Sequence, residues 1–484
     1  MSSDLQVRPA AVAARPPRPQ RPDLLLALPA GLLALLGAAL LLQRPSLWYD
    51  ELFTAHVAPL PLSRLAQAVL TGEGTASYLR EVPPSYNAPY YVVAHGWLAL
   101  TGQEPGELSL RSLSLLASVL AVAVLTLAVA RLGGRAAGVT AGLLAATNPL
   151  VLEYSVEARG YGLAMLATSV TALGLARWLD GGRLLLYGVG AAAAGLAHWF
   201  ALPVVAGLAL AGLLLRPRAS LPLLALTAAA VVPALALVVL ASVQDDGGTT
   251  TGWIRDTGAA VPWLSLQAWT GGSLLLLIAT LIAVAVAVAM ARKSGPTRCT
   301  TVVGACWVAV PLLIVTLAEL VRPVFVPRYL LPALLGLAVL AAVGATASKW
   351  AGARWAGAAG GLLAALSLLA AAPLLDRPPR EDARGAVEAL AAEHDAGEPV
   401  VAVDRRAALA LEQYAAGSVR ADLRVPPDDP PDADVVWLLR QATRDGDLRP
   451  SDDDAVLAAN GLRLESAQVF CGSSSWLVLQ RWTR

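Results

Sequence analysis

Charge is scarce in this sequence. Only 15% of its 484 residues are Asp, Glu, Lys or Arg, against about 25% in soluble domains, which excludes an ordinary cytosolic enzyme. Cysteine is scarcer: Cys299, Cys306 and Cys471 are the whole supply. In the topology argued below they fall at the inner face, inside a span and outside, so no intrachain disulfide is expected. The four histidines include no i, i+4 pair, so no helical zinc motif is present. Glycine has no period and the apolar content is high, which excludes collagen-like and disordered chains. A cleavable signal peptide is not expected either, because the first apolar run follows a Pro- and Arg-rich tail and exceeds an h-region in length.

What the chain has in quantity is apolar surface: 56% of residues are hydrophobic and the mean hydropathy is +0.60. Apolar stretches near the spanning length of about 20 residues recur through the first 375 positions. They predict about eleven transmembrane helices, at 24–42, 112–130, 136–152, 162–178, 184–199, 201–215, 220–241, 271–291, 300–320, 329–347 and 355–373. Tryptophans 48, 178, 199, 350 and 355 sit near span ends, as an aromatic belt would place them.

The net charge of +1 is an average over two unlike regions. Residues 1–375 carry 23 basic and 15 acidic side chains, while residues 376–484 carry 13 and 20. Orientation turns on residues 83–102, which are apolar but hold Asn87, Pro89 and His95. If this segment does not span, fifteen basic residues face three acidic ones on the cytoplasmic side, as the positive-inside rule requires. We therefore read 83–102 as an amphipathic helix on the outer membrane face. The expected organisation is a cytoplasmic tail (1–23), a membrane domain (24–375) whose outer loop 43–111 carries surface helices, and an extracytoplasmic α/β domain (376–484). In that domain REDARGAVEALAAEH predicts a helix with Ala386, Val387, Leu390 and Ala391 on one face. Strands are expected at 400–403, 434–439 and 475–482, with a Pro/Asp loop at 425–434. Its acidic residues read as a solvated surface, with no catalytic constellation among them.

Four clusters near the expected outer ends of spans could carry chemistry. Asp50 and Glu51, in SLWYDELFTAH, could accept a proton or help hold a divalent cation; a solvated loop is the plainer alternative. Arg159 with Tyr154 and Tyr161 could grip a phosphate, because the planar guanidinium matches phosphate oxygens. Arg159 snorkelling beside Glu157 is the alternative. Arg328 and Tyr329 follow a proline that would aim them into the bundle mouth, or they merely anchor at the interface. His198, with Trp199, closes the fifth span and could be a ligand or a structural residue.

WYDE (48–51), PPSY (83–86), YSVEARGY (154–161), HWF (198–200) and PRYLLP (327–332) together resemble the GT-C glycosyltransferases, in particular the glycosyltransferase 39-like group of protein O-mannosyltransferases and aminoarabinose transferases. The resemblance implies inverting transfer of a monosaccharide, mannose first among the candidates, from a polyprenyl-phosphate donor to an outer hydroxyl. The acceptor would be a glycan, a lipid or a protein. It implies Asp50 as base, assisted by Glu51, with Arg159, Tyr161, Arg328 and Tyr329 on the departing phosphate. Glu157, His198 and Glu81 are candidates for the acceptor or a metal; whether a divalent cation takes part is open. Where aminoarabinose transferases have a lysine before the Pro-Pro pair, this chain has Val82. The implied setting is the plasma membrane, crossed many times, with no nucleic-acid partner. A transporter or lipid flippase is the rival class, but it would show inverted repeats or broken-helix pairs, which are not evident.

Overall fold

A computed structural model describes residues 24–245, 252–292, 295–346, 353–425, 433–442 and 452–484. The basic tail, Trp350, the Trp355 side chain and most of the Pro/Asp loop lie outside the described residues.

In hydrocarbon a backbone finds no outside partners, so apolar runs must bond within themselves as helices. The chain opens with α1 (Leu24–Leu42), followed by three short helices: α2 (Tyr49–Val57), α3 (Leu62–Thr71) and α4 (Ala88–Thr101). Next come α5 (Glu107–Gly133), α6 (Arg135–Ala146), α7 (Pro149–Ser155), α8 (Tyr161–Leu179), α9 (Leu185–Ala197) and α10 (Leu202–Leu215). The bundle closes with α11 (Leu221–Gln244), α12 (Val261–Trp269), α13 (Leu274–Ala291), α14 (Pro296–Glu319), α15 (Leu331–Thr346) and α16 (Ala353–Ala371).

Among the described residues eight helices are long and apolar enough to cross a membrane: α1, α5, α8, α11, α13, α14, α15 with its leading turn, and α16 with its trailing turn. This is a polytopic membrane protein. The helices α6 and α7 bend by 64° at their junction and would together make a ninth span. Two more apolar helices, α9 and Trp199–Leu215, are shorter. The eleven expected spans therefore all have helical counterparts, though three are not straight, full-length ones. The 14 residues of α4 reach about 21 Å, short of the roughly 30 Å hydrocarbon layer, so residues 83–102 hold no spanning helix.

Helix α15 runs through the middle of the bundle, buried from Leu331 to Ala345. Small residues let neighbours close in. A Cβ on Gly174 of α8 would lie 2.3 Å from the Tyr187 nitrogen of α9, and one on Gly190 would lie 2.6 Å from the Thr171 nitrogen. Exposed leucines and valines such as Leu35, Leu221 and Val243 cover the outside. At one end of the bundle Arg131 pairs with Asp180 at 2.8 Å, and Arg216 stacks over Trp178 at 5.1 Å.

The other end carries a small sheet domain. Its elements are α17 (Ala383–Glu393), β1 (Val400–Ala402), α18 (Arg405–Tyr414), α19 (Gly417–Ala421), β2 (Leu423–Arg424), β3 (Val435–Ala442), α20 (Asp452–Ala459), β4 (Arg463–Cys471) and β5 (Trp476–Thr483). The strand order is β2-β1-β3-β5-β4, with β1 parallel to both neighbours and β5 antiparallel to β3 and β4. The buried face of α17 is Ala383, Ala386, Val387 and Leu390. Ala391, expected on that face, is exposed, because the helix starts at Ala383 and its i, i+3, i+4, i+7 stripe begins there. The three expected strands are present, while β2, β4 and α18 add to them.

Candidate active site

The short helix α2 places the first two carboxylates. Pro45 precedes it, and Trp48 is its extended N-cap, so Asp50 and Glu51 fall in the first turn, where the helix dipole favours negative charge. Their surroundings differ sharply. Glu51 is 1% exposed; its Oε1 accepts from Arg111 Nε at 2.8 Å and from the Ala158 nitrogen at 2.8 Å. Its Oε2 accepts from Arg111 Nη2 at 2.5 Å. Arg111 also donates from Nη1 to the Arg44 carbonyl at 2.5 Å and from Nη2 to the Ser46 carbonyl at 2.8 Å. With its oxygens committed in this way, Glu51 is placed to hold the loop rather than to take a proton. The Asp50 side chain stays 19% exposed, with Oδ2 4.0 Å from Arg159 Nη2.

Arg159 lies in the loop between α7 and α8. Its Nη1 donates to Tyr86 Oη at 3.1 Å and to the Asp50 carbonyl at 3.4 Å. The next residue must be small: a Cβ on Gly160 would stand 2.4 Å from the Ala197 carbonyl oxygen. This close approach seats the 159–161 loop against the end of α9 and brings His198 to Tyr161, ring centres 5.2 Å apart. Tyr329 packs on the same histidine at 5.3 Å. Arg328 Nε donates to Tyr161 Oη at 3.1 Å, and its guanidinium lies 5.7 Å from the Trp48 ring and 5.4 Å from Trp253. His198 is also held from its own turn. Its Nδ1 accepts from the Phe200 nitrogen at 3.3 Å.

Asp50, Arg159, Tyr161, His198, Arg328 and Tyr329, drawn from 280 residues of sequence, thus form one continuous cluster at the sheet end. Glu157 borders it, 3% exposed, with Oε2 3.1 Å from Arg380 Nη2 and Oε1 without a hydrogen bond among the described residues. Burial pushes its carboxyl up to about 7, against the pull of Arg380. A cavity of about 20 Å³ beside it, lined by Trp48, Glu51, Arg111, Glu153 and Arg380 among others, has room for one water. Glu81 stands apart: it is exposed and has no hydrogen bond or ion pair among the described residues. No three His, Cys, Asp or Glu side chains gather as a cation site among those residues. A larger cavity, about 360 Å³, opens between α2 and α18 and is lined by His56 and Glu412.

Sequence reasoning misses Arg111, Arg380, Tyr86 and Trp253. Arg111 sits on an apolar helix with no local mark of its partner. Arg380 lies in a segment whose charges read as solvated. Tyr86, within PPSY, and Arg380, the first residue of REDARGAVEALAAEH, stand in noted motifs, but neither motif marks them as contacts of the cluster.

No protein-family model matches this chain, and no curated protein does. Among solved structures it is similar to ArnT from Cupriavidus metallidurans bound to undecaprenyl phosphate, at 15% identity and a TM-score of 0.54, over 94% of this chain and 97% of that one. The apo state of the same protein aligns at 16% identity with a TM-score of 0.53, over the same shares. The chain shares the overall fold of ArnT over almost its whole length.

Proposed function

We propose that this protein is a plasma-membrane glycosyltransferase that moves a monosaccharide from a polyprenyl-phosphate donor to a hydroxyl at the sheet end, which we place outside the cell. The observation that carries the reading is the convergence of an open carboxylate, Asp50, with Arg159, Arg328, Tyr161 and Tyr329. A lipid phosphate needs permanent cations and hydroxyl donors, and an acceptor hydroxyl needs a base. ArnT, whose fold this chain shares, has been crystallised with undecaprenyl phosphate.

In the proposed reaction Asp50 takes the proton of the acceptor hydroxyl as its oxygen attacks the anomeric carbon. The bond from that carbon to the phosphate oxygen breaks with its electron pair, and the configuration inverts. Arg159 and Arg328 lie where charge would grow on the departing polyprenyl phosphate, and donors fixed there stabilise the transition state more than the ground state. Glu51, bound by Arg111 and the Ala158 nitrogen, holds the first turn of α2 that presents Asp50. Mannose is the first sugar to test, and the acceptor would be a glycan, a lipid or a protein hydroxyl.

The test is transfer of label from polyprenyl-phosphate mannose, and from its arabinose and glucose counterparts, in vesicles containing the protein. Asp50→Asn should cut transfer by about 10²–10⁴-fold, the usual contribution of a general base. Undiminished transfer by that variant would overturn the assignment, as a transporter or flippase would predict.

A further inference from the structure

Between α1 and α2 the chain crosses the sheet end as a short strap, Pro45 to Tyr49, which leads directly into Asp50. Every residue of the strap touches the sheet domain or the segment that leads into it. The Pro45 carbonyl accepts from Arg384 Nε at 2.8 Å. Ser46 Oγ accepts from the Ala383 and Arg384 nitrogens at 3.0 and 3.2 Å. The Leu47 nitrogen donates to Tyr414 Oη at 2.8 Å. Arg380 lies over the Trp48 ring at 4.7 Å, and the Tyr49 nitrogen donates to Glu381 Oε2 at 2.9 Å.

These contacts use buried charge. Glu381 is 1% exposed; its Oε1 accepts from Arg406 and from Ser475 Oγ. Arg380 divides its donors between Glu153 and Glu157, both at 3.1 Å, and also faces the Tyr154 ring at 4.8 Å. Two domains that merely packed together would not need charged groups in the dry part of their interface, where unpaired charge is costly. Here the charged groups concentrate on the residues immediately before the carboxylate. Trp48 also meets two guanidinium groups, Arg380 at 4.7 Å and Arg328 of the cluster at 5.7 Å from its ring centre.

We infer that Arg380 and Glu381 are positioning residues. Acting from the start of the sheet domain, they fix the Trp48–Tyr49 strap, and so set where Asp50 stands relative to the phosphate-facing arginines. The sheet domain is then a working wall of the active site rather than a separate appendage. This inference rests on the transferase reading.

The test uses the full-length protein in vesicles with labelled polyprenyl-phosphate sugar, comparing wild type, Arg380→Ala, Arg380→Lys, Ser46→Ala and Arg463→Ala. Misplacing a reacting group by about 1 Å can cost about 10²-fold in rate. Arg380→Ala should therefore lower kcat by about tenfold or more, with the donor KM held within about threefold. Arg380→Lys should recover part of the loss. Ser46→Ala, which removes the strap's acceptor without touching the charged groups, should lower kcat in the same direction, and it carries the test if Arg380→Ala does not fold. Arg463, exposed on the edge strand β4, should behave as wild type when replaced. A kcat within twofold of wild type for Arg380→Ala, or a loss lying wholly in donor KM, overturns the positioning role. Absence of transfer by the wild-type protein overturns the transferase reading itself.

Discussion

Two carboxylates adjacent in sequence end in opposite states. Asp50 keeps an open face, while Glu51 is closed in by Arg111 and the Ala158 nitrogen, although composition and spacing treat them alike. The difference comes from a partner 60 residues away, and no local pattern announces such a partner. Glu157 offers a test at the same scale. Burial pushes its native carboxyl from the ordinary 4.5 up to about 7. Between those values the native state holds a proton that the unfolded chain has released, so stability falls as pH rises through that window and levels above it. Glu157→Gln removes the titrating group. Thermal unfolding in detergent from pH 5 to 8 should show wild type losing stability relative to the variant up to about pH 7. A parallel pair of curves would refute the burial argument. Asp50, Arg159 and Arg328 are legible in the sequence because charge close to an apolar span is costly and therefore conspicuous. Arg380 is not legible, because it stands among other charges in a polar segment where charge costs little.

Helices follow the apolar stretches closely, since hydrocarbon leaves the backbone no other choice. The bent pair α6 and α7 corrects the expectation that no broken helices occur, and its cause is local: Asn148-Pro149 caps the second helix, with Asn148 Oδ1 accepting from the Leu150 and Val151 nitrogens. Strand β4 is harder to see, because as an edge strand it is exposed along most of its length and lacks the alternation that marks a half-buried strand. The end of α14 shows how an element can serve the site from a distance. Glu319, 2% exposed, accepts from the Thr257 nitrogen and Oγ1 and from the Val324 and Phe325 nitrogens, all within 2.8 Å. It thereby joins the loop of Trp253 to the loop of Arg328. Glu319→Ala should cost about 2–4 kcal/mol, because it strands several donors at once. Glu319→Gln, which keeps an acceptor, should cost less. Equal melting temperatures for wild type and Glu319→Ala would refute this role.

At the scale of the whole molecule the near-zero net charge conceals a polarised object. Arg131, Arg177 and Arg216 mark one end of the bundle, and the cluster with its sheet domain marks the other. We propose that the end marked by Arg131, Arg177 and Arg216, where few carboxylates oppose the arginines, faces the cytoplasm. Reporter fusions at residues 135 and 95 should then give a cytoplasmic signal at 135 and none at 95; the reverse pattern would turn the molecule over. The contact between Arg380 and Trp48 has one more consequence, in the order of manufacture. A ribosome completes Asp50 early and Arg328 much later, and Arg380 only after the last span. The Glu381 beside it finds Ser475 only when the chain has been made as far as the turn before β5. An unfinished chain already in the membrane would hold every member of the cluster and still lack the strap's fastening. The cluster would become competent only once the sheet domain exists.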